Sequence, residues 1–326
     1  MTEKADARDG QHLALLKDVT FQPVFIIGDH RSGTTLLHRL LASTGCFNYV
    51  SAYHVIKYDQ VLSDKLAGRT EQGMQEVRDE FTRLGLKNRD IDETPAVPEA
   101  PIEYGFILGG PKDRRPRITE ETLDKFGEMA RKVTYVGDPA KPLLLKNPWD
   151  VISFMEIKDW FPEARFIFIH RHPVAIMNSQ IRAIRTVLGK KSAFACLISK
   201  SYRAMWDRPF QVWLARTMDK PPLLLWERML AHHTVKMARY FLDHHKSLPP
   251  GDYISVQYEQ LCREPDAIMK KITDFAEVHP SESIRYADQI APREPRILPE
   301  VLKRFRAVRG RLRPYLEFQQ YTLDPK

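Results

Sequence analysis

The chain has 326 residues, 43% of them hydrophobic and 28% charged, enough for one large α/β unit or two modest ones. Its net charge of +8 suits nucleic acid, an anionic membrane or a small polyanionic ligand, but the basic residues are not gathered into the block expected of a nucleic-acid tail, so no nucleic-acid partner is expected. No run of 18 apolar residues is present, which argues against a membrane span. Cys46, Cys196 and Cys262 are odd in number and far apart, which suits neither a disulfide framework nor a zinc site.

In chain order, residues 1–20 are polar and mixed in charge, with no apolar stretch of a secretory signal. They read as a short leader, helical around His12 to Lys17, and a cytoplasmic location is the simplest expectation. VFII (24–27) is a continuous apolar run before Gly28, the pattern of a buried parallel strand. TTLLHRLLAS then sets Leu36, Leu37, Leu40 and Leu41 on one helical face, and Gly45 suits the helix end. CFNYV (46–50) predicts a second strand. Residues 55–140 carry no strand pattern and are interrupted by TPAVPEAPIE, as expected of a substrate wall or lid. PLLLK (142–146) returns to strand, Asp150 to Phe161 predicts a helix, and RFIFIH (165–170) is another buried strand. A helix follows Pro173, a further helical stretch covers 190–247, and DYISV (252–256) is the last strand, followed by a helix after Glu264-Pro265. Alternating strands and helices predict a three-layer α/β fold of P-loop type with a central parallel sheet. Residues 21–326 read as a single domain with helical insertions at about 55–140 and 185–247.

The chemistry starts at GDHRSGTTLLHRLL (28–41). A strand, a glycine-bearing turn and a helix direct backbone N–H groups and the positive end of the helix dipole at an anion. Gly28 and Gly33 have the spacing of a nucleoside-triphosphate loop, G-x-x-x-x-G-K-[ST], with Thr35 at the hydroxyl position. Thr34 stands where the lysine belongs, and Arg31 lies inside the loop instead. The strand FIFI ends in His170 and Arg171, where a triphosphatase places a metal-holding Asp. Both departures point to a metal-free site for a different phosphate compound.

These residues resemble the sulfotransferases that use 3′-phosphoadenosine 5′-phosphosulfate (PAPS), in particular the bacterial and tyrosylprotein branch. FIIGDHRSGTTLLHRLL resembles that family's 5′-phosphosulfate loop. FIFIHRHPVAIMNSQ resembles its 3′-phosphate motif, with Arg171 and Ser179 at the matching positions. LLLKNP resembles the Lys-Asp/Asn-Pro strand end, and DYISVQYEQLCREPDAIMKKITDFAEV the late strand–Tyr-Glu–helix segment. The resemblance implies that Arg31, Ser32, Gly33, Thr34 and Thr35 hold the 5′-phosphosulfate and that Arg171 and Ser179 hold the 3′-phosphate. It also implies that Lys146, with Arg31, neutralises the leaving phosphate.

The general base is open. The glutamate that the tyrosylprotein enzymes carry just past the first helix and short strand is absent near Ser51 and Ala52. His54 stands close by and titrates near neutral pH in its ordinary state, while Glu103 and Glu99 in PEAPIEYGF are the rivals. The pairs His232-His233 and His244-His245 are adjacent rather than four apart and read as helix-surface residues, not metal ligands. VRGRLRP (308–314) is a loose echo, at Arg309-Gly310, of an Arg-Lys-Gly segment that grips the 3′-phosphate in other sulfotransferases.

The expected activity is sulfuryl transfer to a hydroxyl of a small molecule, lipid or glycan. Phe106, Trp206, Phe210, Trp213 and Trp226 in the insertions suggest a partly apolar acceptor. A P-loop small-molecule kinase, which would require Mg²⁺, and a non-catalytic nucleotide-binding protein are the alternatives.

Overall fold

The structure, a computed structural model, describes residues 8–323 except 93, 114, 221–222, 282–283 and 291–295. Residues 1–7 of the predicted leader lie outside the described residues. Five strands form one parallel sheet: β1 Pro23–Ile27, β2 Asn48–Tyr49, β3 Leu143–Lys146, β4 Arg165–His170 and β5 Tyr253–Gln257. Their order is β2-β3-β1-β4-β5, so β1 is central, with Ile26 beside Lys146 of β3 and Ile167 of β4.

Every residue of β1 and β3 is buried because both sheet faces are covered, which is why these strands read as continuous apolar runs. Alternate residues serve opposite layers. Val24, Ile26, Leu144 and Ile167 pack on Leu37, Leu40 and Leu41 of the Thr34–Ser43 helix and on Met269 and Ile272 of the Pro265–Phe275 helix. Phe25, Leu145, Phe166 and Phe168 face the other layer, with Phe126 of the Glu120–Val136 helix, Met177 of Pro173–Gly189 and Phe241 of Leu225–His244. Each such fully buried side chain contributes about 1.5–3 kcal/mol of apolar burial.

The second strand is shorter than its sequence suggests. After Tyr49 the backbone leaves β3: Val50 O accepts from Ile102 N at 2.8 Å, and Ser51 bridges to Pro101. This exchange of partners delivers the residue after Ile102, Glu103, to the sheet edge. The predicted helix over 150–161 is split into a 3₁₀ turn, Pro148–Ile152, and a helix, Phe154–Trp160. The buried Asp150 accounts for the break, since it accepts from Tyr104 Oη at 2.6 Å and Ile118 N at 2.9 Å.

The insertions are helical as expected. Val61–Leu66, Thr70–Arg83 and Glu120–Val136 lie in the first, and Ala193–Ile198, Lys200–Trp206, Pro209–Thr217 and Leu225–His244 in the second. They meet in a third apolar cluster, where Phe194 and Ile198 pack with Tyr53, Val77 and Phe81. The described part of the leader is packed against the body. Arg8–Leu16 forms a 3₁₀ helix, and buried Asp9 accepts from Leu62 N, Ser63 N and Ser63 Oγ and pairs with Lys132 at 3.1 Å. VRGRLRP lies within the Pro299–Phe318 helix, whose inner face is Val301, Phe305, Val308, Leu312, Tyr315 and Leu316. Arg309 is on the exposed side of that helix.

Candidate active site

The site forms at the carboxyl ends of β1, β3 and β4, where open α/β sheets bind ligands. The loop from Gly28 to Gly33 turns tightly. A Cβ on Gly28 would lie 2.6 Å from Ser32 Oγ and 2.8 Å from the Ile169 carbonyl oxygen, so only glycine fits. Gly33 has φ 103° and caps the Thr34–Ser43 helix without a side-chain bond, which leaves the first helical N–H groups for an anion. Arg31 also lies in the left-handed region, at φ 71°. Its carbonyl oxygen accepts from Arg171 Nη1 at 3.1 Å, and its own Nε donates to Ser179 Oγ at 3.0 Å. Three residues singled out in sequence thus form one cluster, joined by contacts across 140 and 148 positions. Arg171 also lies over the Tyr258 ring, at 4.2 Å, and that ring is what a Cβ on Gly33 would strike.

A second cluster contains the missing cation. Lys146 Nζ, at the end of β3, donates to Thr35 Oγ1 at 3.1 Å and to Glu103 Oε1 at 2.5 Å. A lysine from the neighbouring strand thereby reaches the loop hydroxyl, although Thr34 occupies the lysine position within the loop itself. Glu103 also accepts from Arg89 Nη2 at 3.1 and 3.2 Å. Burial alone would raise the Glu103 pKa, but Arg89 and Lys146 override it and hold the carboxyl well below its ordinary range. Burial in turn pulls the Lys146 pKa down, against the attraction of Glu103. Arg31, likewise lowered mainly by burial, feels Asp92 on one side and Arg171 and Arg89 on the other. Three guanidinium groups and an ammonium thus share the site with the carboxylates of Glu103 and Asp92. Arg89 Nε and Nη1 are buried and have no hydrogen-bond partner among the described residues. The cluster of four cations and the uncapped helix start fit an anionic ligand.

His54 caps its own short helix. Its Nδ1 accepts from Ser51 N at 3.2 Å while Ser51 Oγ accepts from His54 N at 3.3 Å. Burial lowers its pKa to about 4, only partly opposed by a hydrogen bond to the Tyr49 backbone. With Nδ1 occupied as an acceptor, the neutral ring carries its proton on Nε2. Glu99 is part of a surface ion pair, 2.6 Å from Arg78. Of the histidine pairs, His232 is exposed, whereas His245 is 4% exposed and stacks on Phe241, so the surface reading does not hold for it. His233 Nε2 lies 3.2 Å from Asp29 Oδ1, beneath the loop.

Arg89, Tyr258 and Asp29 were not singled out in sequence. Only the Tyr-Glu pair at 258–259 carried a signal, through the late strand segment. Glu259 Oε1 accepts from His172 N at 3.0 Å, and its Oε2 accepts from Tyr321 Oη at 2.9 Å, which ties the chain's last described residues to the Arg171 motif. Beside the loop, Trp149 stands edge-on to His30, at 5.1 Å between ring centres, and to Phe106, at 5.6 Å.

Fold and site define a parallel-sheet α/β protein in which a tight glycine-bearing loop runs into a helix beside a lysine from the adjacent strand. The chain belongs to the sulfotransferase family, whose model matches residues 23–282. It is similar to the omega-hydroxy-beta-dihydromenaquinone-9 sulfotransferase Stf3 of Mycobacterium bovis, 29% identical over 178 residues, or 49% of this chain and 44% of the relative. Protein-tyrosine sulfotransferase A of Caenorhabditis elegans is 23% identical over 154 residues, 47% of this chain and 32% of that protein. The chain therefore matches less than half the length of each of these relatives. Among solved structures, sulfotransferase STF9 of Mycobacterium avium superposes with a TM-score of 0.68 at 15% identity, over 98% of this chain and 82% of that one. That likeness extends the shared fold beyond the sheet into the helical insertions.

Proposed function

We propose that this protein transfers a sulfuryl group from PAPS to the hydroxyl of a small, lipid-like acceptor. The observation that carries the proposal is Lys146 Nζ held between Thr35 Oγ1 and Glu103 Oε1 at the head of the loop. PAPS, when bound, would supply the S–O bond that breaks as the acceptor oxygen attacks, with 3′-phosphoadenosine 5′-phosphate leaving through its 5′-phosphate oxygen. The loop N–H groups and Arg31 would receive its 5′ end, and Arg171 and Ser179 its 3′-phosphate. Lys146 places an ammonium where charge develops on the departing oxygen, in a site buried from water. Glu103 is ionised and so is ready to take the acceptor's proton. That proton becomes strongly acidic only as the O–S bond forms, so a carboxylate of low basicity suffices. Glu103 occupies the sheet-edge neighbourhood where the family's glutamate is missing, because the 101–102 segment pairs with Val50 and Ser51. His54, locked in its capping box, positions that turn.

The acceptor class rests on the aromatic row of His30, Trp149 and Phe106 beside the loop, and accords with the hydroxylated menaquinone in the name of one relative. The deciding experiment is calorimetric titration with 3′-phosphoadenosine 5′-phosphate without Mg²⁺, with ADP and ATP as controls. Micromolar binding of the bisphosphate alone, lost in Arg171→Ala, is the expected result. Preference for ATP with Mg²⁺ would overturn the reading in favour of a kinase.

A further inference from the structure

The helix Pro209–Thr217 is turned inside out. Phe210, Trp213, Leu214 and Thr217 follow the i, i+3, i+4, i+7 spacing of a single face. In a surface helix of a globular protein that face would be buried. Here Phe210 is 69% exposed, Trp213 58% and Leu214 47%, while the opposite side carries the one buried residue, Val212. Phe210 and Trp213 stack on each other at 5.7 Å, so the patch presents a continuous apolar surface. Leu223, 42% exposed, lies a short way along the chain. Exposed aromatic patches of this kind mark interaction surfaces.

The charge around it is equally uneven. Residues 182–230 contain ten Lys and Arg against three Asp and Glu, an excess of seven within a chain whose total is +8. Two of those three acids, Asp219 and Glu227, are tied to Arg185 at 2.9 and 3.3 Å. Only Asp207 stands apart from that pairing. Lys190, Lys191, Lys200, Arg208 and Lys220 are exposed. Arg216 of the helix donates from Nε to Leu188 O at 2.7 Å, and Tyr202 Oη, in the Lys200–Trp206 helix, accepts from Ser192 N at 3.0 Å, which ties the lysine-bearing segments together.

We infer that this face docks the protein on an anionic lipid bilayer, with Phe210, Trp213 and Leu214 entering the headgroup boundary and the surrounding lysines and arginines on the phosphates. Apolar side chains flanked by cations are the composition of an interfacial helix. A second copy of this chain suits the face poorly. A two-fold contact sets the same patch against itself, and would bring the two basic excesses together. Such docking does not depend on the identity of the sulfuryl donor. It would bring a lipid acceptor to the enzyme in the plane of the membrane.

The test is co-sedimentation of the full chain with phosphatidylcholine vesicles, with and without phosphatidylglycerol, at low and high salt. Binding is expected to the anionic vesicles only and to be released by salt. Phe210→Ser with Trp213→Ser should weaken it at least about tenfold. Lys200→Ala and Lys220→Ala should weaken it by about fivefold for each charge removed. Binding of 3′-phosphoadenosine 5′-phosphate and thermal melting, compared with the parent, identify any variant that has lost its fold; the lysine variants then carry the test. No binding to anionic vesicles at low salt, or variants that bind like the parent, would overturn the inference. So would a parent dimer, seen by sedimentation velocity, that the double variant dissociates.

Discussion

Lys146 Nζ stands 3.1 Å from Thr35 Oγ1 and 2.5 Å from Glu103 Oε1, so one buried ammonium joins the anion loop to the carboxylate proposed as base. Lys146→Met should lower the turnover of sulfuryl transfer roughly 100- to 1,000-fold, the effect of removing a preorganised charge at a leaving group. Binding of the bisphosphate should change far less, because Arg31 and Arg171 remain. Glu103→Gln should cost roughly 100- to 10,000-fold, and His54→Gln much less. Single-turnover rates with each variant decide between the two bases.

Arg171 bonds the Arg31 carbonyl and covers Tyr258. Arg171→Ala therefore removes the proposed ligand of the 3′-phosphate and also frees the turn at Arg31, which has φ 71°. Bisphosphate affinity should fall roughly 100-fold, the range of a charge-assisted bidentate contact, against only a few-fold for Ser179→Ala. Calorimetry on both variants measures the difference.

Gly33→Ala places a Cβ 2.4 Å from Tyr258 Cδ2 at φ 103°. Backbone strain and the displaced ring together should cost roughly 2–4 kcal/mol. Gly45→Ala, at φ 70° with nothing within 4 Å, meets only the backbone term of about 1 kcal/mol. Urea unfolding of the two variants separates steric from conformational cost.

Asp9 and Lys132 are each 2% exposed and pair at 3.1 Å. Asp9→Ala leaves an ammonium buried without that partner and should destabilise the fold by about 3–5 kcal/mol. A melting temperature unchanged from the parent would show that the packed 3₁₀ helix at 8–16 is dispensable.

Buried histidines set an acid limit, His38 and His170 the furthest lowered. Burial lowers His38 to about 3, with the Lys146 charge adding to it, and lowers His170 to about 3, with His245 adding to it. Above the unfolded value of about 6.5 neither state takes up a proton, and the full stability is present. As pH falls from there toward 3, the unfolded chain binds protons that the folded one refuses. Each histidine then removes roughly 1.4 kcal/mol per pH unit. Denaturant unfolding from pH 7 to 4 should show this slope, and His38→Gln with His170→Gln should reduce it, leaving the share of His30 and His54, which burial lowers to about 4.

Much of this architecture is legible in the sequence because it is local. A strand, a tight turn and a helix lie within about twenty residues, so VFII, Gly28, Gly33 and the leucines of 36–41 indicate the loop by their order alone. Arg171 and Ser179 sit at fixed offsets from β4 for the same reason. Lys146, at the end of β3, is legible through the resemblance of LLLKNP to the family's Lys-Asp/Asn-Pro strand end.

Tertiary structure alone decided what Lys146 meets. Glu103 lies 43 residues before it, in an insertion without a strand pattern. It enters the site because Val50 and Ser51 leave β3 to pair with residues 101 and 102. Arg89 and Tyr258 join from still more distant segments, and no periodicity records such meetings. The ordinary titration of His54 is likewise set aside by burial, a property of its surroundings rather than of the residue. Sequence order defines a loop whose shape is built from consecutive backbone atoms. The charges around that loop are assembled through space, and only the packed fold determines which of them meet.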